Sequence, residues 1–367
     1  MNEKTGCVCF DSWSDARKAF ILSIGEIGGE FQSIDLGQKG PGGESLSIGI
    51  GTVLLGHSSK NSPSDLFLHV SGVHGVEGFA GSAAQLRILR ELSALKKSGR
   101  IDALPRIRVV FVHTVNAYGM SWLRRNNANN VDLNRNAFLT RDNLPDDRAY
   151  HEIHQILTDE SWRRWLWWLR LAAMTIRRGK EFLMQGLSGG QYHYPDGFFY
   201  GGDKWQPELS RLKNFFEQNF SDVQRVFTVD IHTGLGPYGF EALFSTEVAE
   251  QGDLQLMQQQ LNVKLTLDEI EGRSTYRSFG SFSDLIYQAF PKAKVRYILQ
   301  EFGTYNDFKV LRGLRSERRA WLRGKIGPDS KASKHLKNLF FPQDSRWRHK
   351  ILADASGLFF KVLNSGF

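Results

Sequence analysis

Cysteine is scarce in this sequence: its 367 residues include only two, Cys7 and Cys9. A pair separated by one residue cannot form the disulfide framework that holds small secreted domains together. Two thiolates also supply at most half of a tetrahedral site, so we expect no cysteine-based zinc site. The fold must therefore depend on an ordinary hydrophobic core, which a chain of this length can bury.

Long apolar runs are also lacking. The longest, from Trp165 to Ile176, is interrupted by Arg170 and is well short of the roughly 20 apolar residues that cross a bilayer. The first residues, MNEKTGCVCFDSW, lack the basic region followed by an apolar region that is typical of a secretory signal. We therefore expect no transmembrane segment and a cytoplasmic location.

Charge is unevenly distributed along the chain. The net charge is +8, and residues 309–350 include thirteen basic side chains against three acidic ones. Such a segment could bind nucleic acid or an anionic membrane. It could also be the solvated face of a helix, because Leu311, Leu314 and Trp321 recur at helical spacing between the charges. We favour the helix, since no nucleic-acid-binding motif accompanies the charge.

A second basic stretch, residues 161–178, is rich in tryptophan. Its pattern suits a helix on a membrane surface and equally a helix packed on the core. We favour core packing. The spacing then predicts the residues that face the core: Trp165, Trp168, Leu169 and Ala172. Trp167 should lie on the flank or in solvent.

Strand and helix patterns alternate along the chain, and no internal repeat appears. Apolar runs predict five strands, over residues 45–54, 65–71, 108–113, 225–231 and 295–300, and a helix over 78–95. This alternation indicates an α/β fold with a mostly parallel, mixed central sheet flanked by helices. No linker divides the chain, so we predict one domain over 1–367 with a basic, helical C-terminal segment over 306–367.

Polar side chains follow three of these strands. The second strand leads into SGVHGVEG with His74 and Glu77, the fourth into His232, and the fifth ends at Glu301. Parallel strands present their carboxyl ends at one edge of a sheet, so these side chains should meet there. Two His and one Glu with an open position form a catalytic zinc pattern, and Glu301 could act as a general base. Asp230 could orient the His232 imidazole if the strand persists.

Arginine and asparagine occur between these candidate ligands. Arg124 and Arg125 precede NNVDLNRN, which contains Asn134 and Arg135. The planar fork of an arginine beside an amide is suited to a substrate carboxylate. A second arginine could stabilise the oxyanion that develops during acyl transfer.

Together these motifs resemble the zinc carboxypeptidases of the carboxypeptidase A type and their relatives aspartoacylase and succinylglutamate desuccinylase. The matching elements are the HxxE pair, DLNR, the strand-end His and Glu, and the run YRSFGSFSDLIY. More narrowly, SGVHGVEGFAGSA, DGFFYGG and DIHTGLG resemble a bacterial branch of metallopeptidase-like proteins long described as a domain of unknown function. The resemblance covers about residues 40 to 360.

The resemblance implies a role for each of these residues. His74, Glu77 and His232 would bind one Zn²⁺ per chain, and Glu301 would be the general base. The remaining residues would contact the substrate: Asn134 and Arg135 at its carboxylate, Arg125 or the less favoured Arg124 at its scissile carbonyl, and Tyr276 as a cap over it.

The predicted activity is zinc-dependent hydrolysis of an amide bond in a substrate with a free carboxylate. A small peptide that loses its C-terminal residue and an N-acyl amino acid both fit, and the ligand set does not separate them. The alternative is a non-catalytic protein that binds nucleic acid or an anionic membrane through residues 309–350. We favour the hydrolase and do not expect a nucleic-acid partner, because a structural zinc site has no chemical need for Glu301 beside it.

Overall fold

The computed structural model describes residues 9–56, 64–138, 144, 146–161, 165–245, 251–267 and 279–367. The strands of these residues are β1 (Glu30–Lys39), β2 (Ser45–Leu55), β3 (Asp65–Ser71), β4 (Ile107–His113), β5 (Arg225–Thr233), β6 (Glu241–Ser245), β7 (Thr266–Leu267) and β8 (Lys294–Phe302). The α-helices are α1 (Trp13–Glu26), α2 (Gly78–Lys97), α3 (Ala117–Ser121), α4 (Arg148–Thr158), α5 (Trp167–Arg178), α6 (Lys180–Ser188), α7 (Pro207–Asn219), α8 (Gln251–Leu261), α9 (Phe282–Ala289), α10 (Asp307–Leu322), α11 (Lys331–Phe340) and α12 (Ser345–Ser365).

The strands form one mixed sheet, in the order β1-β2-β4-β3-β5-β8-β6-β7. The central strands β4, β3, β5 and β8 are parallel to one another. The pairs β1/β2, β2/β4 and β6/β8 are antiparallel. This arrangement confirms the predicted α/β fold with a mostly parallel centre. The chain places β4 on one side of β3 and β5 on the other, which creates a topological switch point between β3 and β5, where open α/β sheets bind ligands.

The central strands are covered on both faces, as their nearly continuous apolar sequences predict. Along β3, Leu66, Leu68 and Val70 pack into one hydrophobic cluster, while Phe67 packs into a second cluster on the opposite face. This alternation follows from the two-residue period of a strand. Helix α2 packs against β3 and β5, and its observed start at Gly78 agrees with the prediction.

Two central strands continue further than their apolar runs indicated. The predicted strands 225–231 and 295–300 end at Thr233 and Phe302 in the structure, because the parallel ladder continues after the apolar residues stop. His232 is therefore paired directly with Glu301 across β5 and β8. Both residues therefore belong to the last part of paired strands and not to the loops that follow these strands.

Strands β1, β6 and β7 are additions to the predicted set. Strand β1 has the sequence EFQSIDLGQK and keeps most of its residues partly or fully exposed. Its polar composition is typical of an edge strand that packs on one face only. Such a strand carries too weak an apolar pattern to be identified from sequence.

Helix α5 packs with the opposite face from the one predicted. Trp167, Leu171 and Met174 are buried, whereas Trp168 and Leu169 are exposed. The helix carries two apolar stripes, so periodicity alone cannot select the one that packs. The partner selects it: the Trp167 ring stacks on Phe308 at the start of α10, with a centroid distance of 5.0 Å.

The basic C-terminal segment, residues 306–367, forms α10, α11 and α12, and some of its basic side chains are buried. Arg315, Arg318 and Lys337 are buried. Arg315 donates hydrogen bonds to backbone carbonyls at the end of α4, while Arg318 and Lys337 form ion pairs with Asp196 and Asp11. Only some of these basic side chains therefore lie on a solvated helix face, as the sequence analysis had favoured for the whole segment. Within the ranges given above, no helix combines the length and apolar character needed to cross a membrane.

We expect Trp167→Ala to lower the free energy of unfolding by about 3 kcal/mol, the cost typical of truncating a buried aromatic side chain. Trp168→Ala, at an exposed position one residue further on, should change it by less than about 1 kcal/mol. Urea denaturation of both variants measures the difference. Equal losses, or a larger loss for Trp168→Ala, would contradict the observed orientation of α5.

Candidate metal centre

The loop after β3 places His74 and Glu77 at the sheet edge through a tight turn. Gly75, between them, has no room for a side chain, because a Cβ atom there would lie 2.1 Å from the carbonyl carbon of Gly119. The Gly75 N–H donates to the carbonyl of Arg125 at 3.0 Å. The loop is therefore packed directly against the segment that carries Arg125.

Three side chains, those of His74, Glu77 and His232, converge at this edge. The Nδ1 atom of His74 lies 2.8 Å from Oε1 of Glu77 and 3.2 Å from Nδ1 of His232. Nδ1 of His232 is also 3.2 Å from Oε2 of Glu77. One potential ligand atom from each residue lies within 4.8 Å of the others, and all three residues are buried. This group of two imidazole nitrogens and a carboxylate could hold a metal ion.

The second nitrogen of each imidazole faces a buried carboxylate. His74 Nε2 lies 3.0 Å from Oδ1 of Asp132, and His232 Nε2 lies 2.9 Å from Oδ2 of Asp230. The Tyr297 hydroxyl donates to the same Asp230 oxygen at 2.7 Å. Carboxylates in these positions orient an imidazole and direct its other nitrogen inward. Both Nδ1 atoms accordingly face the centre of the cluster.

Glu301 lies beside the cluster on β8. Its Oε1 accepts a hydrogen bond from the Leu235 N–H at 2.9 Å, and the residue is buried. Burial, together with the nearby charge of Glu77, raises the pKa of Glu301 to about 8. Taking this carboxyl out of water disfavours its ionised form, and the like charge of Glu77 adds to the effect.

Two further carboxyl groups of the site, those of Asp132 and Glu77, have the opposite shift. Burial by itself would raise the pKa of Asp132, but the charges of Arg125 and His74 outweigh burial and hold it well below its usual range. Burial also opposes ionisation of Glu77, and its pKa is nevertheless lowered by the charge of His74 and by hydrogen bonds from both histidines. Both groups are therefore carboxylates at neutral pH.

Positive charge is favoured at the centre of the cluster. Burial would lower the pKa of His232, but Asp230 and Glu77 raise it well above the usual value for histidine. The carboxyl groups of Asp132 and Glu301 are also close by. A buried group of acidic residues around two imidazoles suits a divalent cation, which supplies the compensating charge.

The structure brings Arg125, and not Arg124, to the cluster. The guanidinium of Arg125 donates to Asp132, and its Nη2 lies 2.7 Å from His74 Nε2. Arg124 is 1% exposed and points towards α10, where its Nε donates to the buried Glu317. The adjacent arginines thus have separate environments, one at the site and one in a buried ion pair.

Asn134 and Arg135 are connected to the cluster through Asp132. The Asn134 N–H donates to Asp132 Oδ1 at 3.0 Å, and its side-chain oxygen accepts from the Phe282 N–H at 2.8 Å. Arg135 is buried and donates to the Asn134 carbonyl at 2.7 Å. The predicted cap, Tyr276, lies outside the described residues.

Two further residues at the site had no individual role in the sequence analysis. Asp132 is the first residue of DLNR, so its position in that motif was the available signal. Tyr297 lies within an apolar strand run and belongs to no motif, and its contact with Asp230 depends on the pairing of β8 with β5. That contact could not have been found from spacing along the chain.

Comparison with other proteins gives a family and several similar structures. Residues 10–354 match the family described as "Protein of unknown function (DUF2817)". No curated protein matches the sequence. Bovine thrombin-activatable fibrinolysis inhibitor, solved in complex with tick carboxypeptidase inhibitor, is 12% identical, with 96% of this chain and 97% of that chain covered and a TM-score of 0.45.

A metallo-carboxypeptidase from Burkholderia cenocepacia is 10% identical, with 94% of this chain and 68% of that chain covered and a TM-score of 0.41.

We expect Asp230→Asn to weaken Zn²⁺ binding by about 10- to 100-fold, because the His232 imidazole loses the carboxylate that orients it. Tyr297→Phe should weaken binding in the same direction by a smaller factor. Competition with a chromophoric chelator measures both affinities. Thr228→Val is the matched control. The buried hydroxyl of Thr228 lies on the same strand and has no hydrogen-bond partner among the described residues. An unchanged affinity of Asp230→Asn would count against the orienting contact.

Proposed function

Because the chain belongs to the DUF2817 family, whose description states no function, we propose a function from the site itself. The protein is a zinc-dependent hydrolase that cleaves an amide bond in a substrate with a free carboxylate. It acts either as a carboxypeptidase-like metallopeptidase or as an N-acyl amino acid amidohydrolase. The observation that carries the proposal is the convergence of His74, Glu77 and His232 beside Glu301 and Arg125.

The donor set favours zinc. Imidazole nitrogens and one carboxylate are ligands that Zn²⁺ accepts readily, and three protein ligands leave a position open for catalysis. No second group of three or more suitable side chains occurs in the described part of the chain, which supports one ion per chain. When bound, Zn²⁺ would polarise the scissile carbonyl and lower the pKa of water at the open position.

Glu301 is the general base in this proposal. The charge of a bound divalent cation would lower the raised pKa of Glu301 and favour its ionised form. The carboxylate then accepts a proton from the attacking water and passes a proton to the leaving nitrogen as the C–N bond breaks. The products are a carboxylic acid and an amine. The hydrogen bond from Leu235 holds one carboxyl oxygen, which keeps the group at the edge of the cluster during both transfers.

Arg125 stabilises the oxyanion of the tetrahedral intermediate. Its anchoring by Asp132 beside His74 supports this role, because a preorganised cation next to the reacting carbonyl needs little rearrangement. We assign the substrate carboxylate to Asn134 and Arg135, and Tyr276 stays a prediction. These roles would suit the C-terminal carboxylate of a peptide and the carboxylate of an N-acyl amino acid alike.

The alternative, a non-catalytic protein that binds nucleic acid or an anionic membrane through residues 309–350, receives less support. Arg315, Arg318 and Lys337, three cations of the basic segment, are buried in internal contacts and cannot reach a phosphate backbone. A protein that only binds nucleic acid would also have no use for Glu301 beside a group of metal-type ligands.

We expect Glu301→Gln to retain zinc and to lose activity by about 10²- to 10⁴-fold, the usual contribution of a general base. Zinc-loaded native protein and the variant are each incubated with one mixture of free-carboxylate peptides and N-acyl amino acids. Mass spectrometry of the products then shows which amide is cut. The matched control is Glu241→Gln on β6, where the partly buried carboxyl accepts a hydrogen bond from Gln300. Near-native activity of Glu301→Gln would refute its role as base.

Substitution of Arg125 should lower the activity, whereas substitution of the adjacent Arg124 should lower the stability. We expect Arg125→Met to lower kcat/KM by about 10²- to 10³-fold through loss of oxyanion stabilisation. Arg124→Met should instead lower the free energy of unfolding by about 3 kcal/mol, because it leaves Glu317 buried without its cation. Steady-state kinetics and urea denaturation of both variants provide the test. The reverse pattern would exchange the two assignments.

A further inference from the structure

Phe199 lies against Arg125. Its ring centroid is 5.3 Å from the central carbon of the Arg125 guanidinium, a distance at which an aromatic ring attracts a cation. Both residues are partly buried, so water weakens this attraction less than it would on an open surface. The sequence analysis gave Phe199 no role of its own, although the residue lies within the DGFFYGG motif.

The backbone of Phe199 has a conformation that is unfavourable for its side chain. Its φ angle is +52°, in the left-handed region that a residue with a bulky side chain rarely adopts. Glycine would adopt the same angle without a steric cost. Residues held in this way are concentrated at functional sites, where the surrounding structure offsets the cost. The conformation therefore indicates that the ring of Phe199 has a function.

Hydrogen bonds on both sides of Phe199 hold this conformation. The carbonyl of Tyr200 accepts from the Asp132 N–H at 2.7 Å. The N–H of Phe198 donates to the hydroxyl of Tyr150, on α4, at 2.6 Å. The backbone at Phe199 is therefore tied to the DLNR motif and to α4, which restricts where the ring can lie.

Asp132 connects this contact to the rest of the site. Its backbone N–H binds the residue after Phe199, while its carboxylate accepts a hydrogen bond from Arg125. The carboxylate binds N–H groups at the edge of the guanidinium, whereas the ring attracts the cation as a whole. One residue therefore fixes both the ring and the cation that the ring attracts.

We propose that Phe199 is a positioning residue that acts through Arg125, and this proposal rests on the hydrolase function proposed above. The ring holds the guanidinium beside His74, where it meets the oxyanion of the tetrahedral intermediate. An aromatic ring is suited to this task because it attracts a cation without adding a negative charge. A second carboxylate in the same place would also hold Arg125, but it would compensate the positive charge that stabilises the oxyanion.

The first test is the kinetics of Phe199→Leu and Phe199→Tyr with the amide substrate that the zinc-loaded native protein cleaves. Leucine meets the same backbone restriction as phenylalanine but has no aromatic ring. We expect Phe199→Leu to lower kcat by about 3- to 30-fold, the value of one cation–π contact. KM should change by less than about twofold, because the oxyanion develops only after substrate binding. Phe199→Tyr keeps an aromatic ring and should retain near-native kcat.

The same substitution in the Arg125→Met background separates positioning from a general structural role. Phe199→Leu should cause no further loss of kcat there, because the ring acts only through Arg125. The matched control is Phe182→Leu on α6. The Phe182 ring lies 5.1 Å from the guanidinium carbon of Arg178, a cation that is likewise paired with a carboxylate. This control should retain native kcat, and circular dichroism checks that each variant is folded.

A second measurement does not depend on activity. In protein labelled with ¹⁵N-arginine, the side-chain resonance of Arg125 is identified by its absence from the spectrum of Arg125→Met. The ring current of Phe199 shifts this resonance. We therefore expect Phe199→Leu to move it, while Phe199→Tyr and Phe182→Leu leave it close to its native position.

The outcomes distinguish this role from the function on which it rests. An unchanged Arg125 resonance in Phe199→Leu, an unchanged kcat, or an equal fold-loss of kcat in the native and Arg125→Met backgrounds would overturn the role of Phe199 and leave the proposed hydrolase intact. Absence of activity in the zinc-loaded native protein would instead refute the proposed function, and the role of Phe199 in catalysis with it.

Discussion

A single buried carboxylate, that of Asp132, connects the separate parts of the site. One oxygen lies 3.0 Å from His74 and also accepts the backbone N–H of Asn134. The other oxygen accepts a hydrogen bond from Arg125. Leaving any of these groups buried without a partner would cost several kcal/mol. The turn after β3, the segment with Arg125 and the DLNR motif are therefore held in one common arrangement.

The second constraint is the register of the parallel strands. β5 and β8 place His232 opposite Glu301, while the turn after β3 brings Glu77 between the two histidines. The result is a buried site with more carboxyl groups than nearby cations. That imbalance is unfavourable in a site closed to water unless a positive ion compensates it. Burial and the charge of Glu77 raise the pKa of Glu301, while Asp230 and Glu77 outweigh burial and raise the pKa of His232.

Some positively charged side chains of the C-terminal segment form contacts inside the protein. Arg315 and Arg318 join α10 to the α4 region and to the loop with Asp196, and the Arg124–Glu317 pair joins α10 to the segment beside the site. These cations also lie over aromatic rings, such as Arg315 over Trp167 at 4.9 Å. Arginine is suited to such positions because its planar group can stack and donate several hydrogen bonds together. The contacts with Phe308 and Arg315 also determine which face of α5 is buried.

The sequence by itself determined those elements that depend on residues close together along the chain. Apolar runs identified the central strands, and His74, Glu77, His232 and Glu301 could be placed at one sheet edge because parallel strands end together. The edge strand β1 and the buried face of α5 could not be identified, since a polar strand gives a weak pattern and a helix with two apolar stripes gives two equal solutions.

Only the tertiary structure decided between residues that are equivalent along the chain. Arg124 and Arg125 differ in their partners, Glu317 and Asp132, which come from other parts of the sequence. The contact of Tyr297 with Asp230 likewise exists only when β8 lies beside β5. The local pattern of residues indicates which roles a residue could have. Packing against residues that are distant in sequence supplies its partner and so determines which of these roles it has.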